Sequence, residues 1–131
     1  MVTREDLESF LIRMNVQYEE VDEGMYLVRG AHSGFPTVVH HSESLLIIRM
    51  KLMDLPEDPS KELYKTLLEL NACDIVHGAY GIEDGELILS DTLELETLDY
   101  LEAQASIESI ELAASGHMDR IRGLAGVEEG V

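Results

Sequence analysis

Leu67 to Leu95 reads LLELNACDIVHGAYGIEDGELILSDTLEL, and the way it divides decides the fold. Its start closes a helical row. Leu63, Leu67 and Leu70 recur at spacings of four and three, with Tyr64, Leu68 and Asn71 beside them, which is the pattern of an amphipathic helix. The middle is β-rich. Two runs, 75–80 and 86–93, flank GIEDG, and Asp84-Gly85 signals a tight hairpin because that turn needs positive φ, which glycine supplies without strain. Beyond Thr92 the chain turns helical again. Tyr100, Ala103, Ile107, Ile110, Ala114, His117 and Ile121 recur at threes and fours, and Leu98, Leu101, Ala105 and Leu112 form a second row. The stretch therefore predicts helix, two-strand hairpin and a long C-terminal helix, with Gly116 as a signal for a kink or an end.

The same stretch holds the only cysteine, Cys73, beside Asp74 and four residues before His77. Cysteine, carboxylate and imidazole together raise the question of a nucleophile or a metal site. On a strand, Cys73, Ile75, His77 and Ala79 point one way and Asp74 the other. Asp74 then fails to orient the imidazole, and Cys73 and His77 stand ~13 Å apart at ~3.3 Å per residue. Both are expected to be structural. His40-His41 cannot chelate one ion from a strand, because adjacent residues face opposite sides. GAYGIEDG lacks a phosphate-loop lysine and opens no helix, and no serine sits in a nucleophile elbow. The acidic runs YEEVDEG and LPEDPSKE read as solvated loops without calcium-loop spacing. The expectation is no enzyme, no metal and no cofactor.

Working outward to the N-terminus, Thr3 caps a short helix with Asp6 in its first turn, and Leu7, Phe10, Leu11 and Met14 follow at helical spacing up to Asn15. MYLVRG, the β-branched TVVHH and LLIIRMKLM then predict three antiparallel strands. In the last of these, Leu46, Ile48, Met50 and Leu52 share one face, while Leu45, Ile47, Arg49, Lys51 and Met53 share the other. LPEDPS breaks the pattern, with Asp58 as helix cap and Pro59 at the first helical position. The fold class is α+β: helix, three antiparallel strands, helix, two-strand hairpin, long C-terminal helix. Residues 1–122 are expected to form a single domain and 123–131 a frayed tail.

Composition narrows the partners. The chain has 131 residues and a net charge of -18. Such a charge repels nucleic acid and anionic membrane and favours cationic partners. A lone cysteine forms no internal disulfide, and no apolar run approaches the ~20 residues of a membrane span, so a cytoplasmic protein is expected.

The element order, the acidic chain and the Leu67–Leu95 motif together resemble the type III secretion chaperone-like fold, shared by the Tir chaperone family and the YbjN-type domains. The resemblance implies a non-enzymatic homodimer that wraps an extended, unfolded segment of an effector around its surface and keeps it export-ready. The YbjN-type relatives carry the same fold outside secretion systems. The sequence itself supplies surplus apolar positions for a protein interface: Leu45, Leu46, Ile47, Ile48, Met50 and Leu52 on the third strand, and Tyr100, Ile107 and Ile110 on the last helix. The expected function is a homodimeric protein-binding module, chaperone-like or a regulatory adaptor, whose partners are itself and a client or regulatory protein. The alternative is a small-ligand or metal sensor of the same fold using Cys73, His77 or the His40-His41 pair.

Overall fold

In the computed structural model, which describes residues 1–30 and 32–126, local chemistry sets the first element. The Thr3 hydroxyl accepts from the Asp6 amide and the Asp6 carboxylate accepts from the Thr3 amide, a capping box that opens α1 (Arg4–Met14). Asn15 closes it in the left-handed conformation, at φ 58°. There follow β1 (Gln17–Asp22), β2 (Met25–Arg29), β3 (Pro36–Ser42), β4 (Leu45–Asp54), α2 (Lys61–Cys73), β5 (Ala79–Glu83), β6 (Glu86–Glu94) and α3 (Tyr100–Ala125).

All strands pair antiparallel in the order β1-β2-β3-β4-β6-β5. The α+β class and element order match the sequence reading, with one strand added. Five of the seven residues of the YEEVDEG run, expected to be a solvated loop, lie in β1. It bonds to a single neighbour, and of its side chains only Tyr18 is partly covered. A strand wet on both faces carries no apolar alternation, so nothing in its residue pattern marked it.

One face of the sheet holds the core. Val28 and Val39, Leu46, Ile48 and Met50 of β4, and Leu87 and Leu89 of β6 are buried against Leu7 and Leu11 of α1, Leu63 and Leu67 of α2, and Ala103, Ile107, Ile110, Ala114 and Ile121 of α3. The alternation expected for β4 holds up to Lys51. A bulge between Lys51 and Met53 then sets Met53 opposite Leu87, turning it toward the core rather than to the polar side. The Asp84-Gly85 hairpin turn forms as expected, with φ 52° and 76°.

Two boundaries differ from expectation. The cap of α2 is Ser60, whose hydroxyl accepts from the Leu63 amide at 3.1 Å, rather than Asp58 with Pro59. α2 also continues through Cys73, and β5 begins only at Ala79. At the C-terminal end α3 passes Gly116 without a break and runs to Ala125, closed by Gly126. The rest of the expected tail, residues 127–131, lies outside the described residues. Among those described, no helix is long and apolar enough to cross a membrane.

Candidate protein-binding surface

The structure divides the interface residues read from the sequence. Leu46, Ile48, Met50 and Ile110 are fully buried, and Leu52 and Ile107 nearly so. Their apolar surface is used within the monomer. Leu45 and Ile47 lie on the open face of β4, exposed and half-buried. Tyr100 is half-buried, edge-on to Phe10 with ring centroids 5.7 Å apart, and the Arg13 guanidinium stacks over it at 3.9 Å. A partner reaches Leu45, Ile47 and Tyr100 without unfolding the chain, and does not reach the other six.

The open face is not uniformly apolar. Met25, Leu27, Val38 and Ile47 are half-buried on neighbouring strands. Beyond them Arg49 pairs with Glu83 at 2.8 Å, and Lys51 with Glu86 at 2.5 Å and Asp54 at 3.1 Å. The Glu86 carboxylate, then Asp54, holds the Lys51 ammonium above the usual lysine range. Both basic side chains of β4 are thus matched by neighbouring carboxylates.

A second apolar surface lies between α2 and β5. Tyr64, Leu68 and Ile82 are exposed there, Leu68 by 69%, and they flank a groove of about 340 Å³ floored by Leu67 and Leu87. The signal was present in the sequence as the second helical row beside Leu63 and Leu67. Its meaning depends on which row the sheet covers, and that is set by tertiary packing.

The two sheet edges differ. At β5 the Asn71 side chain accepts from the Tyr80 amide at 2.7 Å and donates to the Tyr80 carbonyl at 3.2 Å. At β1, among the described residues, no hydrogen bond beyond the ladder to β2 uses a backbone group of residues 17–22. That open edge carries exposed Glu19, Glu20 and Asp22.

The cysteine question resolves by geometry. Cys73 is an exposed free thiol on the last turn of α2. The strand spacing expected between it and His77 therefore does not apply. The His77 amide donates to Ser109 Oγ at 3.0 Å and its carbonyl accepts from the same hydroxyl, which fixes the 74–78 loop against α3. Asp74 does meet an imidazole, but it is His117 on α3. His117 Nε2 lies 2.6 Å from the Asp74 carboxylate, and Nδ1 lies 2.8 Å from the Tyr80 hydroxyl. The carboxylate only accepts, so Nε2 carries a proton, and in the neutral imidazole Tyr80 donates to Nδ1. Burial, with the Asp74 charge adding to it, pushes the Tyr80 hydroxyl above the ordinary phenol range. Three elements are pinned together by this chain of bonds. His41 Nε2 binds the Val2 carbonyl at 2.8 Å, while His40 faces the other side of β3. Among the described residues no group of three or more His, Cys, Asp or Glu is placed to hold a metal ion.

Sequence reasoning missed Glu111. It is 7% exposed on α3, and its carboxylate accepts from the His32 amide at 2.8 Å, from the Ser33 amide at 2.5 Å and from the Ser33 hydroxyl at 2.6 Å. Gly30 makes room for it: a Cβ there would lie 2.1 Å from the carboxylate. The clasp borders a cleft of about 380 Å³ lined by Met14, Val28, Ile107 and Leu112.

A six-stranded antiparallel sheet covered on one face by three helices, with one open acidic edge, is the architecture of the type III secretion chaperone-like class. The CesT_Tir_1 family model matches residues 2–126, and the chain belongs to that family of type III secretion chaperones. No curated protein sequence matches the chain. Solved structures agree on the fold. A chain of the heterodimeric ExoU-SpcU complex from the type III secretion system of Pseudomonas aeruginosa is similar at a TM-score of 0.70 and 13% identity, covering 91% of this chain and 97% of that one. YbjN from E. coli is similar at a TM-score of 0.65 and 13% identity, covering 90% and 92%. The Yersinia pestis type III secretion chaperone SycH, in complex with a stable fragment of YscM2, is similar at a TM-score of 0.60 and 17% identity, covering 93% and 99%.

Proposed function

We propose that the chain is a non-enzymatic, cytoplasmic homodimer that holds an extended, partly apolar and basic segment of a client polypeptide. The carrying observation is the free backbone edge of β1 beside Glu19, Glu20 and Asp22. A strand added there gains main-chain hydrogen bonds, and its alternate side chains meet the acid groups of β1. Family membership and the effector- or partner-bound neighbours, ExoU-SpcU and SycH-YscM2, support a protein client. The binding unit is the domain expected over 1–122 with the last turns of α3. Leu45 and Ile47 serve as client contacts on the open face, and the exposed Tyr64 and Leu68 as the contact between copies, because contiguous exposed apolar side chains mark interfaces.

Apolar burial supplies most of the affinity, and the charge of -18 mainly speeds encounter. The test is hydrogen exchange on the complex with a client recovered from host lysate. The expected result is protection of outward-facing β1 amides together with one continuous client segment, and an association rate that falls as salt rises. Recovery of folded partners alone, with neither β1 nor any client segment protected, would overturn the proposal.

A further inference from the structure

Tyr26 carries a polar group that the fold buries without using. The residue is 2% exposed on the helix-covered side of β2. Among the described residues its hydroxyl has no hydrogen-bond partner, and a polar group buried without one costs stability. The oxygen is not sealed in, because among the described residues no unbonded side-chain oxygen or nitrogen is fully shielded from solvent. It ends at the rim of the core.

The surroundings of that hydroxyl are negative. Glu20 stands opposite Tyr26 in the β1–β2 ladder. Tyr18 meets the Tyr26 ring edge-on, with centroids 6.0 Å apart, and donates to the Glu8 carboxylate of α1 at 3.1 Å. Burial, then Glu20, Glu8, Tyr18 and Glu5 in turn, push the Tyr26 hydroxyl above the ordinary phenol range. Among the described residues no basic side chain pairs with Glu5, Glu8 or Glu20. Arg4 and Arg29 reach Glu23 and Glu19 instead. A guanidinium suits this place. Its planar fork bonds a carboxylate and the tyrosine oxygen at once, and its charge offsets the remaining acids. A strand added to β1 would lie two strand spacings from β2, roughly 10 Å, a gap that arginine and tyrosine span by reaching toward each other.

We propose that Tyr26, Glu20 and Glu8, the last held by Tyr18, form a subsite for an arginine side chain of the bound segment, on the face of that segment turned toward α1. The proposal rests on the β1-edge reading and adds side-chain specificity to it. The probe is an end-blocked decapeptide alternating arginine and valine, which puts every arginine on one face of a strand in any register. A second peptide replaces arginine with citrulline, similar in shape and without charge. Fluorescence anisotropy measures affinity, and hydrogen exchange reports on the β1 amides. The arginine peptide is expected to protect β1 and to bind about tenfold more weakly to Tyr26→Phe, the scale of one hydrogen bond to a charged group. The citrulline peptide should bind more weakly to wild type and be indifferent to that substitution. Tyr26→Phe should keep the wild-type urea midpoint, because the hydroxyl has no bond within the fold to lose. Glu20→Gln, at an exposed position, should also weaken the arginine peptide selectively, which keeps the test intact if phenylalanine disturbs the core. Equal binding of both peptides with β1 protected, and no selective loss in either variant, would overturn the subsite and leave the edge reading standing. Absence of β1 protection with either peptide would overturn both. A lower urea midpoint in Tyr26→Phe with unchanged affinity for the arginine peptide would assign the hydroxyl to the fold and overturn the proposal.

Discussion

Glu111→Gln is the sharpest test of how the cleft beside α1 is held. The side chain keeps its shape, and one amide oxygen still accepts from the His32 and Ser33 amides. The second oxygen becomes NH₂, which now donates to a Ser33 hydroxyl that previously donated. That hydroxyl already accepts from the Phe35 amide at 3.1 Å, so its own proton loses its partner. Hydrogen bonds to a charged acceptor contribute ~1.5–3 kcal/mol each and neutral ones ~0.5–1.5 kcal/mol. Neutralising one acceptor of two backbone amides therefore costs about 2 kcal/mol, and Glu111→Leu, which orphans both amides, about 4 kcal/mol. For a domain of this size, a 2 kcal/mol loss lowers Tm by roughly 6–10 °C. Urea unfolding at fixed protein concentration measures it, with the m-value expected to stay constant. The cleft should also loosen locally, so the amides of His32 and Ser33 should exchange faster than those of β2. A Gln variant within about 0.5 kcal/mol of wild type, the scale of an ordinary surface change, would refute the view that this carboxylate clasps the loop.

Further tests address other parts of the surface. Leu68→Glu places a charge on the proposed contact between copies, and light scattering should then give the 14.7 kDa chain mass rather than twice that value. Tyr80 is held neutral above the ordinary phenol range. Its contribution to stability is therefore full below the unfolded tyrosine pKa of ~10 and is lost as pH rises past it. Unfolding free energy should fall above that pH, and by less in Tyr80→Phe. Cys73→Ser and His77→Gln alter exposed side chains, so urea midpoints should give changes within about 0.5 kcal/mol. Stoichiometric zinc in untagged wild-type protein that either variant loses would contradict their structural role.

What the sequence disclosed was mostly local. The Thr3 cap with Asp6 in its first turn, the Asp84-Gly85 turn and the alternation of Leu46, Ile48 and Met50 each depend on residues within a few positions, and each appears as read. β1 escaped because an edge strand wet on both faces has no apolar period. Cys73–Gly78 was placed on a strand because a short apolar run after a helix has no period of its own to show where the helix stops. The Glu111 clasp joins residues 79 positions apart, and the Asp74–His117–Tyr80 chain spans 43. Pairings at such distances leave no mark in local spacing. The same limit applied to the interface residues. Ile107 and Leu46 are as apolar as any docking residue, and only the packed structure separates those spent on the core from Leu45 and Ile47, which remain accessible.

The pairing of β4 with β6 has a consequence for the order in which the chain can mature. β1 to β4 form a meander of neighbours, yet the apolar face of β4 is covered by α3, and its far edge is completed by β6. The N-terminus waits as well, because the Val2 amide bonds to the Leu95 carbonyl at 3.1 Å and the Leu95 amide to the Ser44 carbonyl at 3.0 Å. During synthesis about 70 residues separate the end of β4 from the end of α3. At ~5–20 residues per second that leaves the half-built sheet uncovered for about 4–14 s. The nascent half-sheet is itself an exposed apolar surface with an unpaired β4 edge. Shortening α3 from its C-terminal end should therefore prolong the interval in which the chain needs protection of its own.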